Sequence, residues 1–171
     1  MDAVLLRTFQ EQVALQCRFL LLATEELEKS LNDENCTILR VFFALQNLFG
    51  AGANIAKALW GKHGTPPENR KALGESVGIS DDSPLKRVSM RNNFEHFDER
   101  IDRWWKSSNG HNFADLNIGP NVTLDDIDSF RSFNPTTSDL SFWGQKFNVQ
   151  ELIDEVCAIL PKLDAELAKS L

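Results

Sequence analysis

Between residues 3 and 60 apolar side chains recur at three- and four-residue steps, and one polar cluster, Asn32-Asp33-Glu34-Asn35, interrupts them. That period belongs to the α-helix. A first long helix is expected over residues 3–30. Val4, Leu5, Val13, Leu20, Leu27 and Leu31 follow its apolar steps, and Glu25, Glu26 and Glu28 lie outside them. A second is expected over 34–60. Its Gly50-Ala51-Gly52-Ala53 run lowers helix propensity but leaves a notch where another helix can come close.

Residues 61–70 read as a loop punctuated by Gly61, Gly64 and Pro66-Pro67, followed by a short helix within 68–78. A third helix is expected over 84–106, with Asp82 or Ser83 as its N-cap and Pro84 at the first helical position. Over 109–148 the helical period vanishes and aromatics reach strand-like density in 127–133 and 140–149. Gly144-Gln145 is the expected two-residue hairpin turn of a small antiparallel meander. A closing helix is expected over 149–170, bent at Pro161. The whole is a single mainly α domain spanning 1–171, an up-and-down helical bundle with a small antiparallel β-hairpin or meander inserted before the last helix.

At 171 residues, with 42% hydrophobic and 25% charged, the chain has the composition of a soluble globular domain. No apolar run is expected to span a membrane, and residues 1–12 lack the basic head of a secretory signal, so a cytoplasmic location is expected. Cys17, Cys36 and Cys157 lie at wide spacing inside helical patterns and read as buried free thiols. The net charge of −7 argues against coating nucleic acid with the whole surface. It is unevenly spread, however. Residues 84–106 carry six bases against four acids, a net of +2.

That positive segment also carries the chemistry. On a helical wheel, Met90, Phe94, Phe97, Ile101, Trp104 and Trp105 form one apolar stripe, which is expected in the core. Asn92 and His96, four apart, stack on another side with Glu99 and Arg103, and Arg91 flanks them. Leu85 and Val88 fall on that polar side, so it is expected to meet a second surface. A neutral histidine can move a proton near pH 7, an arginine can hold a phosphate by two hydrogen bonds, and an asparagine can orient either. Those parts suffice for metal-free RNA cleavage by the adjacent 2′-hydroxyl. A solvated charged face is the simpler alternative for the same residues.

"RNNFEH" on the third helix of a small bundle, within "SPLKRVSMRNNFEHFDERIDRW", resembles the signature of HEPN domains (higher eukaryotes and prokaryotes nucleotide-binding). In that family an Arg and a polar residue precede a His by a short interval. The resemblance covers roughly 1–106 and 149–171. It implies a homodimer in which two motifs face each other, binding RNA or a nucleotide. The implied activity is that of a metal-independent endoribonuclease of toxin or phage-defence type, leaving 2′,3′-cyclic phosphate ends, with a cognate antitoxin as a further partner. His96 would then be the general acid/base, Arg91 the phosphate clamp and Asn92 the orienting residue. Non-catalytic members of the fold imply the alternative, a dimerisation or binding module. Glu95 departs from the pattern of active members. It stands four after Arg91, where a carboxylate can neutralise the clamp. No cofactor or metal is expected. His63 and His111 lack partnering ligands, and "GAGANIAKA" lacks the lysine ending of a phosphate loop.

Overall fold

A computed structural model describes residues 2–35, 37–61, 70–87, 90–120 and 129–170. Helix α1 (Ala3–Asn32) starts where the Asp2 carboxylate accepts from the backbone N–H groups of Val4 and Leu5. Helix α2 (Ile38–Trp60) follows a short break, starting four residues later than expected. The two pack side by side along their length. Val13, Cys17 and Leu20 of α1 meet Leu45, Leu48, Phe49 and Ile55 of α2 in a core from which solvent is excluded. Val4, Leu5 and Leu31, assigned by period to the apolar stripe, are exposed at the helix ends.

Among the described residues α2 alone is long and apolar enough to cross a membrane by length and composition, which corrects the expectation that no run reaches that length. Much of its apolar surface is used in the core, against α1 and helix α6 (Val149–Leu167). The expected notch receives the Leu152 side chain of α6, a helix that itself packs mainly on α1. A Cβ placed on Gly52 would lie 3.2 Å from Leu152 and 3.7 Å from Leu20. Pro161 lies inside α6, which continues to Leu167. Arg18 pairs with Asp164 at 2.6 Å and fastens α6 to α1.

Short helix α3 (Lys71–Val77) ends on Gly78 in the left-handed conformation. The third long helix is not continuous. It divides into a 3₁₀ turn (Pro84–Arg87), α4 (Met90–Glu95) and α5 (Phe97–Ser107), with His96 at the joint. Ser83 is the cap, its hydroxyl accepting from the Leu85 N–H, but what it caps is the 3₁₀ turn. At His96 the backbone (φ −109°, ψ 39°) leaves the helical region. Asn92, Asn93 and His96 are weak helix formers, and the Asn93 side chain bonds outside its own helix.

The break resets the helical register, so the expected core stripe divides as well. Phe94 and Trp104 are buried, whereas Phe97, Ile101 and Trp105 are exposed, Trp105 at 60%. Leu85 is fully buried in the chain's own core and is no part of an exposed polar face; the 3₁₀ turn directs it inward. Val88 lies outside the described residues.

Strands β1 (Asn117–Ile118), β2 (Arg131–Asn134), β3 (Asp139–Phe142) and β4 (Gln145–Asn148) form one sheet in that order. It is mixed, not purely antiparallel: β1 runs parallel to β2, and the remaining pairs are antiparallel. The β3–β4 turn is Trp143-Gly144, one residue earlier than expected, with positive φ at both (44° and 76°). That is the type I′ geometry, which fits the right-handed twist of the flanking strands. β4 then passes directly into α6, where the Asn148 side chain accepts from the Glu151 N–H.

Leu140, Phe142 and Phe133 point into the core, and an aromatic seam joins the layers. Phe49 of α2 contacts Phe94 of α4 and Phe147 of β4, and Phe94 meets Phe142 edge-on at 5.4 Å. The seam continues through Phe130 and Phe113 to Trp104 of α5. Edge-to-face pairs of this kind each add about 0.5–1.5 kcal/mol beyond burial.

Candidate functional site

The sequence-predicted residues lie around the joint between α4 and α5. The last α4 turn holds, with the His96 N–H donating to the Asn92 carbonyl at 2.9 Å, so Asn92 and His96 keep their one-turn spacing. Both are exposed, the His96 side chain by 54%. Its Nδ1 lies 3.5 Å from Glu99 Oε1, and the other Glu99 oxygen lies 3.7 Å from Arg103. Glu99 therefore sits between two basic side chains on an open surface, where such pairs contribute about 0–1 kcal/mol.

Arg91 faces elsewhere. Its guanidinium donates to Glu95 one turn on, and both side chains line a groove of about 630 Å³ between α1, α2 and α4. The walls are Phe19 and Leu22 of α1 and Phe43 of α2, and the floor includes Ala23, Ala44, Gly50 and Ala51. The structure thus places Arg91 on the groove rim while Asn92 and His96 sit on solvent. Glu95 takes the position the sequence suggested, directly against the Arg91 guanidinium.

Asn93 escaped the sequence reading. It is almost fully buried, donating from Nδ2 to Gln145 of β4 at 2.8 Å and accepting through Oδ1 from Arg100 of α5 at 2.9 Å. One side chain therefore fixes α4, α5 and the sheet together. The signal was its position on the helical wheel, beside the apolar stripe. A polar residue there must find partners on burial.

Compared with protein-family models, curated proteins and solved structures, the chain matches none.

The remaining chemistry is local. Asp81 accepts from Lys86 Nζ at 2.9 Å and from the Trp60 indole N–H at 3.2 Å; these bonds, the Lys86 bond foremost, hold its carboxyl below the usual 3.8. Burial pushes the Cys17 thiol up to about 12, although Arg18 opposes the shift. Cys157, expected to be buried, is exposed, and Cys36 lies outside the described residues. Among the described residues no three His, Cys, Asp or Glu side chains converge as a metal site. His111 packs against the Trp105 ring, and His63 lies outside the described residues.

Proposed function

We propose that this chain is a HEPN-like helical domain that works as a pair and binds RNA at Arg91, Asn92 and His96, cleaving it without metal. The observation that carries the reading is the joint at residue 96. It leaves an accessible imidazole one turn beyond an accessible asparagine, with a guanidinium on the same short helix. In that reaction His96 takes the 2′-hydroxyl proton or gives one to the departing 5′-oxygen. Arg91 holds the non-bridging oxygens as charge develops on them, and the 2′-oxygen–phosphorus bond forms as the phosphorus–5′-oxygen bond breaks. The products are a 2′,3′-cyclic phosphate and a 5′-hydroxyl. Arg91 reaches that phosphate only by releasing Glu95 and swinging from the groove to the side of the helix that carries His96.

That ion pair favours a second reading, in which the same domain is a binding or assembly module without chemistry. Incubating wild type and His96→Ala with mixed RNA in EDTA separates the two. Cleavage by wild type with cyclic phosphate ends, at least about 100-fold slower in the variant, is the expected result. Two equally inert proteins would leave only the module. A toxin or defence role, with a cognate neutralising partner, belongs to the first reading.

A further inference from the structure

Glu26 is a half-buried residue on the wall of the groove beside Arg91, and its carboxylate has no ion-pair or hydrogen-bond partner among the described residues. The nearby cations are engaged elsewhere. Lys29, one turn on, lies 3.8 Å from Glu25, and Arg91 is committed to Glu95. The ionised side chains lining the groove are two carboxylates and one guanidinium, a net of −1, with Glu26 left over.

The rest of the lining is largely aromatic and small. Phe19 of α1, Phe43 and Phe49 of α2 and Phe94 of α4 stand around a floor of alanine and glycine. Helices α1 and α2 are joined by a short break and run antiparallel, and the Asn54 amide donates to the Gln16 side chain at 3.1 Å, tying them at one end. Counting ten residues on along α1 and ten back along α2 brings Glu26 level with Ala44, beside Phe43. At a rise of about 1.5 Å per residue, the two ends lie roughly 15 Å apart. The hollow of about 630 Å³ has the size of a small-molecule site, about 300–1,000 Å³.

Aromatic faces attract a cation placed over them, most strongly where water is excluded. A carboxylate at the end of such a hollow supplies the charged partner. An anion would instead meet Glu26 and Glu95, and a neutral apolar ligand would cover Glu26 without pairing it. The chain's net charge of −7 also draws cations towards it.

We propose that the groove between α1, α2 and α4 binds a small organic cation with an apolar body, an arylalkyl or long-chain amine. Its ammonium group pairs with Glu26 while its body lies against Phe19, Phe43 and Phe94. The proposal is independent of the RNA reaction above, so binding and cleavage can fail separately.

Amide NMR titrations of the isotope-labelled full chain with 4-phenylbutylamine, 4-phenylbutanol and 4-phenylbutyrate at neutral pH test it. The amine is expected to saturate, with shifts centred on Phe19, Ala44 and Gly50, and to bind at least about fivefold more tightly than the alcohol or the butyrate. Glu26→Gln should weaken the amine by about fivefold or more and leave the alcohol unchanged. Gly50→Leu, at a position where a Cβ would meet nothing within 4 Å, fills the hollow and should abolish binding of both. Both variants are expected to keep the wild-type circular dichroism. Absence of saturable amine binding to wild type overturns the proposal, whether the groove then proves empty or seats another protein. Equal affinities for amine, alcohol and butyrate do the same, as do shifts outside the groove or a folded Glu26→Gln that binds the amine as wild type does.

Discussion

Asn92 and Asn93 carry the same side chain one residue apart, and their surroundings separate them. Asn92 meets solvent, whereas Asn93 is buried with a partner on each side of its amide. Asn93→Ala leaves Gln145 and Arg100 without that amide, so it should lower stability by about 1–3 kcal/mol. Asn92→Ala should change stability by less than about 0.5 kcal/mol; urea midpoints of the two variants compare them directly. The Cys17 thiol, held protonated by burial, should resist alkylation in the native protein while exposed Cys157 reacts within minutes. Peptide mass mapping before and after unfolding reads this, and early labelling of Cys17 would contradict its burial. Asp81 gives the pH dependence. Its folded-state carboxyl is held below 3.8, so its contribution is present above that value and is lost as pH falls through the lower folded one. Stability measured from pH 6 to pH 2 should fall less steeply in Asp81→Asn than in wild type.

At the scale of elements, periodicity made the long helices legible because each buries one continuous stripe: α1, α2 and α6 came close to their expected limits. The third helix did not, because a helical wheel assumes one unbroken register and the joint at His96 ends it. At the joint weak local helix propensity coincides with non-local contacts, the hydrogen bond from Asn93 to Gln145 in the sheet and the packing of Trp104 against Phe113. The parallel pairing of β1 with β2 is likewise a tertiary choice that two short residues, Asn117 and Ile118, do not announce. The hairpin was visible, but its turn was displaced by one residue because Trp143 takes a positive φ that glycine would adopt without strain. Gly144→Ala should therefore cost about 1–2 kcal/mol through its left-handed backbone. Gly52→Val should cost about 1–3 kcal/mol by driving the Leu152 contact apart. Both are read from denaturant midpoints.

For the whole molecule, composition and period sufficed for a mainly helical domain with a small β layer, and the docking notch at Gly52 was legible as a run of small residues. The candidate site was legible only in part. Arg91, Asn92 and His96 stand on neighbouring turns as their spacing required, yet Arg91 turns to a groove that no single helix reveals. Its trace in the sequence is excess: Phe19-Leu20-Leu21-Leu22 and Val41-Phe42-Phe43 supply more apolar side chains than one buried face can use. In the function proposed for this chain, Arg91 is a phosphate-binding group restrained by Glu95. Fluorescence anisotropy of a short single-stranded RNA in EDTA, compared across wild type, Arg91→Ala and Glu95→Gln, tests it most directly. Removing the carboxylate should tighten binding by about fivefold and removing the guanidinium should weaken it by at least as much. Identical affinities for all three folded proteins would contradict it.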